Sequence, residues 1–275
     1  MRERIGELQA LADVYEYDRV VVVGMGGSSL APLLFGRAFG VPLDVLDTTH
    51  PAAIRRLQIE GALFVVSSKS GTTLETRCHF DLLWERTGRK AERFVVVTDP
   101  GSALEAPARE RGIHVVAGEP TVGGRYSALT PFGLVPAALA GIDVGALLER
   151  VETSIEDCKR GHENPGLDLG LQLGAGWHEG RDKVVVPNLG GVGLWLEQLL
   201  AESTGKEGKG LVPAPGESPE GTDRQLVDVA LDNAHELGAE LFRWEFATAV
   251  AGSLLEINPS TSRTCRRRRT ARRPS

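Results

Sequence analysis

Five short strand-like runs, separated by stretches with helical spacing, decide most of what the first half of this chain can fold into. The runs are residues 19–24 (RVVVVG), 43–47 (LDVLD), 63–67 (LFVVS), 93–98 (RFVVVT) and 113–117 (IHVVA). The first, a continuous β-branched run, suits a strand covered on both faces. The intervening segments 30–39, 51–59, 72–86 and 102–111 read as helices. On the third, Leu74, Cys78, Leu82 and Leu83 are expected to form the apolar face, because steps of four keep side chains on one side. Strand–helix alternation of this kind demands parallel pairing with right-handed crossovers, hence a doubly wound α/β layer. Residues 126–140 and 144–159 read as helices leaving this unit, and the polar stretch 160–165 (RGHENP) marks a boundary. The same grammar then restarts more weakly, with helix 167–178, strand 183–187, helix 192–203, strands 210–213 and 225–230, and helix 239–256. Residues 213–221 (PAPGESPEG) are a loop by composition. The expected organisation is two α/β units with parallel sheets, 1–160 and 161–258, followed by a basic, disordered tail over 259–275.

A chain of 275 residues is long enough to bury a core in each unit. Its 33 glycines predict many tight turns and close backbone approaches. No apolar run reaches the roughly 18 residues a membrane span needs. Residues 2–8 (RERIGEL) lack the apolar stretch of a secretory signal. Cys78, Cys158 and Cys265 are far apart and without CxxC spacing, so neither a disulfide framework nor a thiolate zinc site fits. A soluble cytoplasmic protein with no membrane partner is expected. Seven arginines between 263 and 273 sit in a chain whose net charge is −6, so the rest is strongly acidic. An acidic body is a poor nucleic-acid binder, since that affinity rests on neutralised phosphates.

Three glycine- or hydroxyl-rich loops follow strands. Residues 24–29 (GMGGSS) let the backbone approach a ligand and offer free N–H groups at a helix start. Their GxGxxS spacing, with Asp47 ending the next strand, also admits a dinucleotide-binding reading. Residues 67–76 (SSKSGTTLET) supply the hydroxyls of Ser67, Ser68, Ser70, Thr72 and Thr73 and the Lys69 ammonium before the first helical turn is complete. Several donors converging on one point suit a phosphate monoester. The bland alternative is helix capping, which needs one or two such residues. Arg125, behind the Gly123–Gly124 pair, is placed to stabilise developing negative charge if it is not simply a surface residue. Glu202, near the end of a helix that Gly205 can cap, lies where the helix dipole disfavours a carboxylate, which suits a general base.

Together these segments (GMGGSS, SSKSGTTLET, VGGRYS at 122–127, AESTGK at 201–206 and FRWEFATAVAGSLLEINP at 242–259) resemble phosphoglucose isomerase, above all the isomerase portion of bacterial fused transaldolase–phosphoglucose isomerases. The resemblance covers roughly residues 1–259. It implies two sugar-isomerase (SIS-type) α/β/α sandwich units and interconversion of glucose 6-phosphate and fructose 6-phosphate without metal or organic cofactor. Carried over by motif, Ser68, Lys69, Ser70, Thr72 and Thr76 would hold the phosphate, and Gly27 and Ser28 would approach the sugar. Arg125 would stabilise the enediolate, Glu75 would assist in positioning, and Glu202 would move a proton between C1 and C2. The resemblance also implies a homodimer.

The match departs in three places. The family's ring-opening histidine has no counterpart in 221–226 (GTDRQL), and neither His235 nearby nor His79 and His178 on helices fills the role. After Pro259 the family continues with a Phe-Asp-Gln segment and a lysine-bearing helix, whereas this chain runs into STSRTCRRRR, which reads as out-of-frame sequence. The start is also short for the family. These departures leave a second expectation open, a sugar-phosphate-binding SIS-type protein with impaired or absent turnover.

Overall fold

The computed structural model describes residues 2–187, 191–229, 231 and 233–261. The arginine-rich segment beyond 261 lies outside them. The described residues pack as two compact units, which divide the chain as 1–151 with 231–238 and 152–230 with 239–275. Among the described residues no helix is long and apolar enough to cross a membrane.

The first unit is built on five parallel strands, β1 (Arg19–Val23), β2 (Leu43–Leu46), β3 (Ala62–Ser67), β4 (Phe94–Thr98) and β5 (His114–Ala117), in the order β2-β1-β3-β4-β5. Val22 faces Val45 on one side and Val65 on the other, and Val65 faces Val95. Every residue of β3 and β4 is buried, as their uninterrupted apolar runs require, while β5 at the edge is half exposed. Each fully buried valine or phenylalanine contributes about 1.5–3 kcal/mol. The crossover helices are α2 (Leu30–Phe39), α3 (Pro51–Arg56), α4 (Leu74–Arg86) and α5 (Glu105–Glu110). Phe64 and Phe94 stack at 5.4 Å, and Phe80 and Trp84 of α4 pack against Phe94 at 5.6 Å each.

That packing corrects the expected face of α4. Thr76, His79, Phe80 and Leu83 are buried, whereas Leu74 is 69% exposed and Cys78 lies in solvent. The buried set has the i, i+3, i+4, i+7 spacing of a helix face; Leu74 and Cys78 lie off it. A further helix, α1 (Arg2–Val14), precedes β1, and its single buried hydrophobic residue is Leu8 among those described. The expected helix 126–140 is a 3-10 turn at Gly124–Tyr126 followed by α6 (Pro131–Leu139), buried on all sides and entered at Thr130, whose hydroxyl accepts from the Phe132 N–H. The helix α7 (Val144–Cys158) carries the chain on.

The segment 231–238 belongs to the first unit. His235 meets the Phe39 ring edge-on at 5.1 Å, and Glu236 pairs with Arg150 at 3.3 Å. Gly238 fits directly against the Leu147 carbonyl, which a Cβ would approach to 2.7 Å.

The second unit holds three parallel strands, β6 (Lys183–Val186), β7 (Val212–Pro215) and β8 (Arg224–Leu226), in the order β7-β6-β8. The strand expected at 210–213 therefore runs two residues further, into the stretch read as a loop. As the edge strand β7 tolerates Pro213 and Pro215, which donate no ladder bond. Helices α8 (Pro165–His178), α9 (Val192–Thr204) and, from residue 239 onward, α10 (Glu236–Leu254) complete it. Gly166, Gly170 and Gly174 of α8 face Phe246, Val250 and Leu254 of α10, each four residues apart, so the two helices meet almost backbone to side chain. A Cβ at Gly170 would lie 2.5 Å from the Val250 Cβ and 2.9 Å from the Ala247 carbonyl. Gly170→Val is therefore expected to lower stability by about 1–3 kcal/mol in urea unfolding. Leu171→Ala, at a position 43% exposed, should leave the midpoint nearly unchanged. Equal effects of the two would refute this packing.

Candidate functional site

Strand order reverses at β1: β2 lies on one side of it and β3 with the later strands on the other. At such a point the loops leaving the carboxyl ends diverge and open a crevice. The loops are the glycine-rich turn after β1 and the hydroxyl-rich turn after β3.

In the first loop Gly26 takes φ 58°, a left-handed conformation natural to glycine. A Cβ on Gly27 would sit 2.2 Å from the carbonyl oxygen of Gly124 and 2.6 Å from its carbon. Glycine at 27 is thus required by a second protein loop, where the sequence suggested close approach to a ligand. The Ser127 hydroxyl fastens the contact, donating to the Gly124 carbonyl at 2.7 Å and lying 3.4 Å from that of Gly27.

The second loop wraps its hydroxyls around itself. Ser68 Oγ accepts from the Gly71 N–H at 3.2 Å and donates to Thr73 Oγ1 at 3.4 Å. Ser70 Oγ accepts from the Thr72 N–H at 3.2 Å and shares a 2.8 Å bond with Thr72 Oγ1. Thr73 precedes α4 without capping it. The hydroxyl cluster is therefore not explained as a helix cap. Thr98 of β4 anchors the loop from below, its hydroxyl donating to the Ser68 carbonyl at 2.6 Å.

Between the loops lies a pocket of about 380 Å³. Gly27 and Ser28 line it from the first loop, Ser67, Ser68, Lys69, Ser70 and Thr73 from the second, and Gly124 and Asp99 close it. Ser67 Oγ is wholly buried and has no partner among the described residues. Lys69 Nζ pairs with Asp99 Oδ2 at 2.7 Å and donates to the Glu119 carbonyl at 2.8 Å.

Of the residues singled out in the sequence, Gly27, Ser28, Ser68, Lys69 and Ser70 come together here. Thr72 is exposed beside Ser70, and Thr76 is 1% exposed within the buried face of α4; neither is among the residues lining the pocket. Glu75 is half-buried on the same turn. Arg125 is half-buried in the turn that carries Gly124, its guanidinium carbon 6.0 Å from the Tyr126 ring centre. Glu202 belongs to the second unit. It is exposed on the last turn of α9, its Oε1 accepting from Gln198 Nε2 at 3.2 Å, and Gly205 closes that helix through its N–H on the Ala201 carbonyl. Met25 and Asp99 line the pocket unforeseen. Among the described residues no group of three or more His, Cys, Asp or Glu side chains is placed to hold a metal ion.

His79 lies on the buried face of α4, its Nδ1 without a partner among the described residues. Burial pushes its pKa below the ordinary 6.5, and the Glu75 carboxylate pulls it partly back. The folded chain thus favours the neutral ring, so stability present above pH 6.5 is lost as pH falls toward the folded value. His79→Gln is expected to flatten the fall in melting temperature between about pH 7 and 5; an unchanged slope would exclude this origin.

No family model matches the chain. The glucose-6-phosphate isomerase of Rubrobacter xylanophilus is 34% identical over 230 residues, 70% of this chain and 51% of that protein. Among solved structures, a protein of Thermus thermophilus superposes with TM-score 0.82 at 24% identity, covering 98% of this chain and 88% of the other. A glucose-6-phosphate isomerase of Chlamydia trachomatis superposes at 0.77 with 18% identity, covering 98% and 72%. Several phosphosugar isomerases share the parallel-sheet SIS-type architecture. The chain spans about half the length of the curated relatives it matches, and over that span it is homologous to the glucose-6-phosphate isomerases, the family its motifs resemble.

Proposed function

We propose that this chain interconverts glucose 6-phosphate and fructose 6-phosphate by base-catalysed proton transfer through an enediolate. The observation that carries the reading is the pocket at the β1–β3 crevice, whose hydroxyls line a cavity instead of capping a helix. Homology to the glucose-6-phosphate isomerases supports the substrate class. A hydrogen α to a carbonyl is weakly acidic, so the reaction needs a base and a group to hold the resulting anion. Glu202 is assigned as the base, lifting the proton from one of C1 and C2 and returning it to the other. Arg125 is assigned to the enediolate oxygens and Glu75 to positioning. Ser68, Lys69, Ser70, Thr72 and Thr76 are assigned to the phosphate, and Gly27 and Ser28 to the sugar. Gripping the remote phosphate fixes the reacting carbons against the base. The family resemblance further leads us to expect a cytoplasmic homodimer acting without cofactor.

The test is exchange of the C1 hydrogen of fructose 6-phosphate with deuterated solvent, followed by NMR. Exchange at a rate set by enzyme concentration is the expected result. Sugar-phosphate binding without exchange would assign the chain instead to the second expectation, a binding protein of the same fold.

A further inference from the structure

Two charged side chains line the candidate phosphate pocket, Lys69 and Asp99, and they are bonded to each other at 2.7 Å. A carboxylate is the wrong sign for an anion site that works by charge. It is also fixed in place. Its Oδ1 is buried without a partner among the described residues and packs on Gly118, where a Cβ would come within 2.6 Å. The Asp99 N–H donates to the Lys69 carbonyl at 3.2 Å, and its own carbonyl accepts from the Ser102 N–H at 3.1 Å. Lys69 gives a second donor to the Glu119 carbonyl, while the Glu119 carboxylate accepts from the Thr121 hydroxyl at 2.8 Å and adds to the negative charge near Lys69.

From this arrangement we infer that Asp99 sets the charge of the pocket, cancelling the Lys69 ammonium so that a phosphate is recognised by neutral hydroxyl and N–H donors rather than by net positive charge. The inference rests on the phosphate reading of the pocket given above. Recognition by neutral donors is directional and nearly insensitive to salt, whereas a net positive pocket would hold any small anion and weaken as salt screens it. Ser28, Ser67, Ser68, Ser70 and Thr73 bring hydroxyls to the pocket lining, and those that bond within the loop would have to exchange those bonds for the phosphate oxygens.

Titration calorimetry with inorganic phosphate on the full chain tests this. Asp99→Asn keeps an oxygen acceptor for Lys69 and leaves the pocket net positive, so phosphate should bind about tenfold more tightly. Lys69→Met should bind about tenfold more weakly, and the double variant should return to within about threefold of the unaltered chain. A merely structural Asp99 would give weakening in both single variants and no recovery in the double. Unchanged or weaker binding in Asp99→Asn, or a double variant as weak as Lys69→Met, overturns the inference. A measurement free of substitutions runs alongside: for the unaltered chain the phosphate Kd should move less than about twofold between roughly 50 and 300 mM salt, and a steep dependence overturns the inference by itself. No phosphate binding at all by the unaltered chain would sink the pocket reading, and the inference with it; binding indifferent to Asp99→Asn sinks the inference alone.

Discussion

Glu202→Gln is expected to lower exchange of the C1 hydrogen of fructose 6-phosphate by about 10²–10⁴-fold, the range lost when a positioned general base is removed. The amide is isosteric and can still accept from Gln198, the 3.2 Å partner of the carboxylate, so α9 should keep its last turn. What it loses is the ability to take up a proton. Inorganic phosphate titrated against the same variant should bind within about twofold of the unaltered chain, because Glu202 is not among the residues that line the pocket. Exchange that survives the substitution would remove Glu202 from the role. Loss of exchange together with loss of phosphate affinity would instead point to misfolding, which thermal melts resolve.

Gly27→Ala is expected to weaken phosphate binding by about 100-fold while leaving the sheet intact. The methyl group has to enter a space already held by the Gly124 carbonyl, 2.2 Å away, and that neighbour is backbone, which cannot rotate aside. The two loops must part, and Ser28, Gly124 and Arg125 move with them; displacements of this order near a site are worth about two powers of ten. Overpacking of this kind also costs about 1–3 kcal/mol of stability. Gly40→Ala is a control, since a Cβ there meets nothing, although φ 64° makes it mildly strained. Binding unchanged in Gly27→Ala would show that the loop contact does not support the pocket.

The strands were legible because fully covered parallel strands carry an uninterrupted apolar run, as in 63–67 and 93–98. The second loop stood out in the sequence because five hydroxyls exceed what a cap uses. Other features had no comparable signal. Helix α1 buries few side chains, so its sequence lacks a strong apolar period. Strand β7 contains two prolines, which argue for a loop unless the strand is known to be an edge. The face of α4 was misjudged because Thr76 and His79 are polar yet face the sheet, while apolar Leu74 faces water. Asp99 sits in a Thr-Asp-Pro turn after β4, an ordinary turn composition. Only the pairing of β3 with β4 brings it beside Lys69.

The first unit is discontinuous in sequence, closing on residues 231–238 after the chain has traversed most of the second. During synthesis, therefore, the ribosome must release the chain through residue 238 before Phe39, Leu147 and Val151 receive their last neighbours. A nascent chain stalled near 160 would carry an unfinished apolar surface, a natural substrate for chaperones, and no single cut could release two self-sufficient halves.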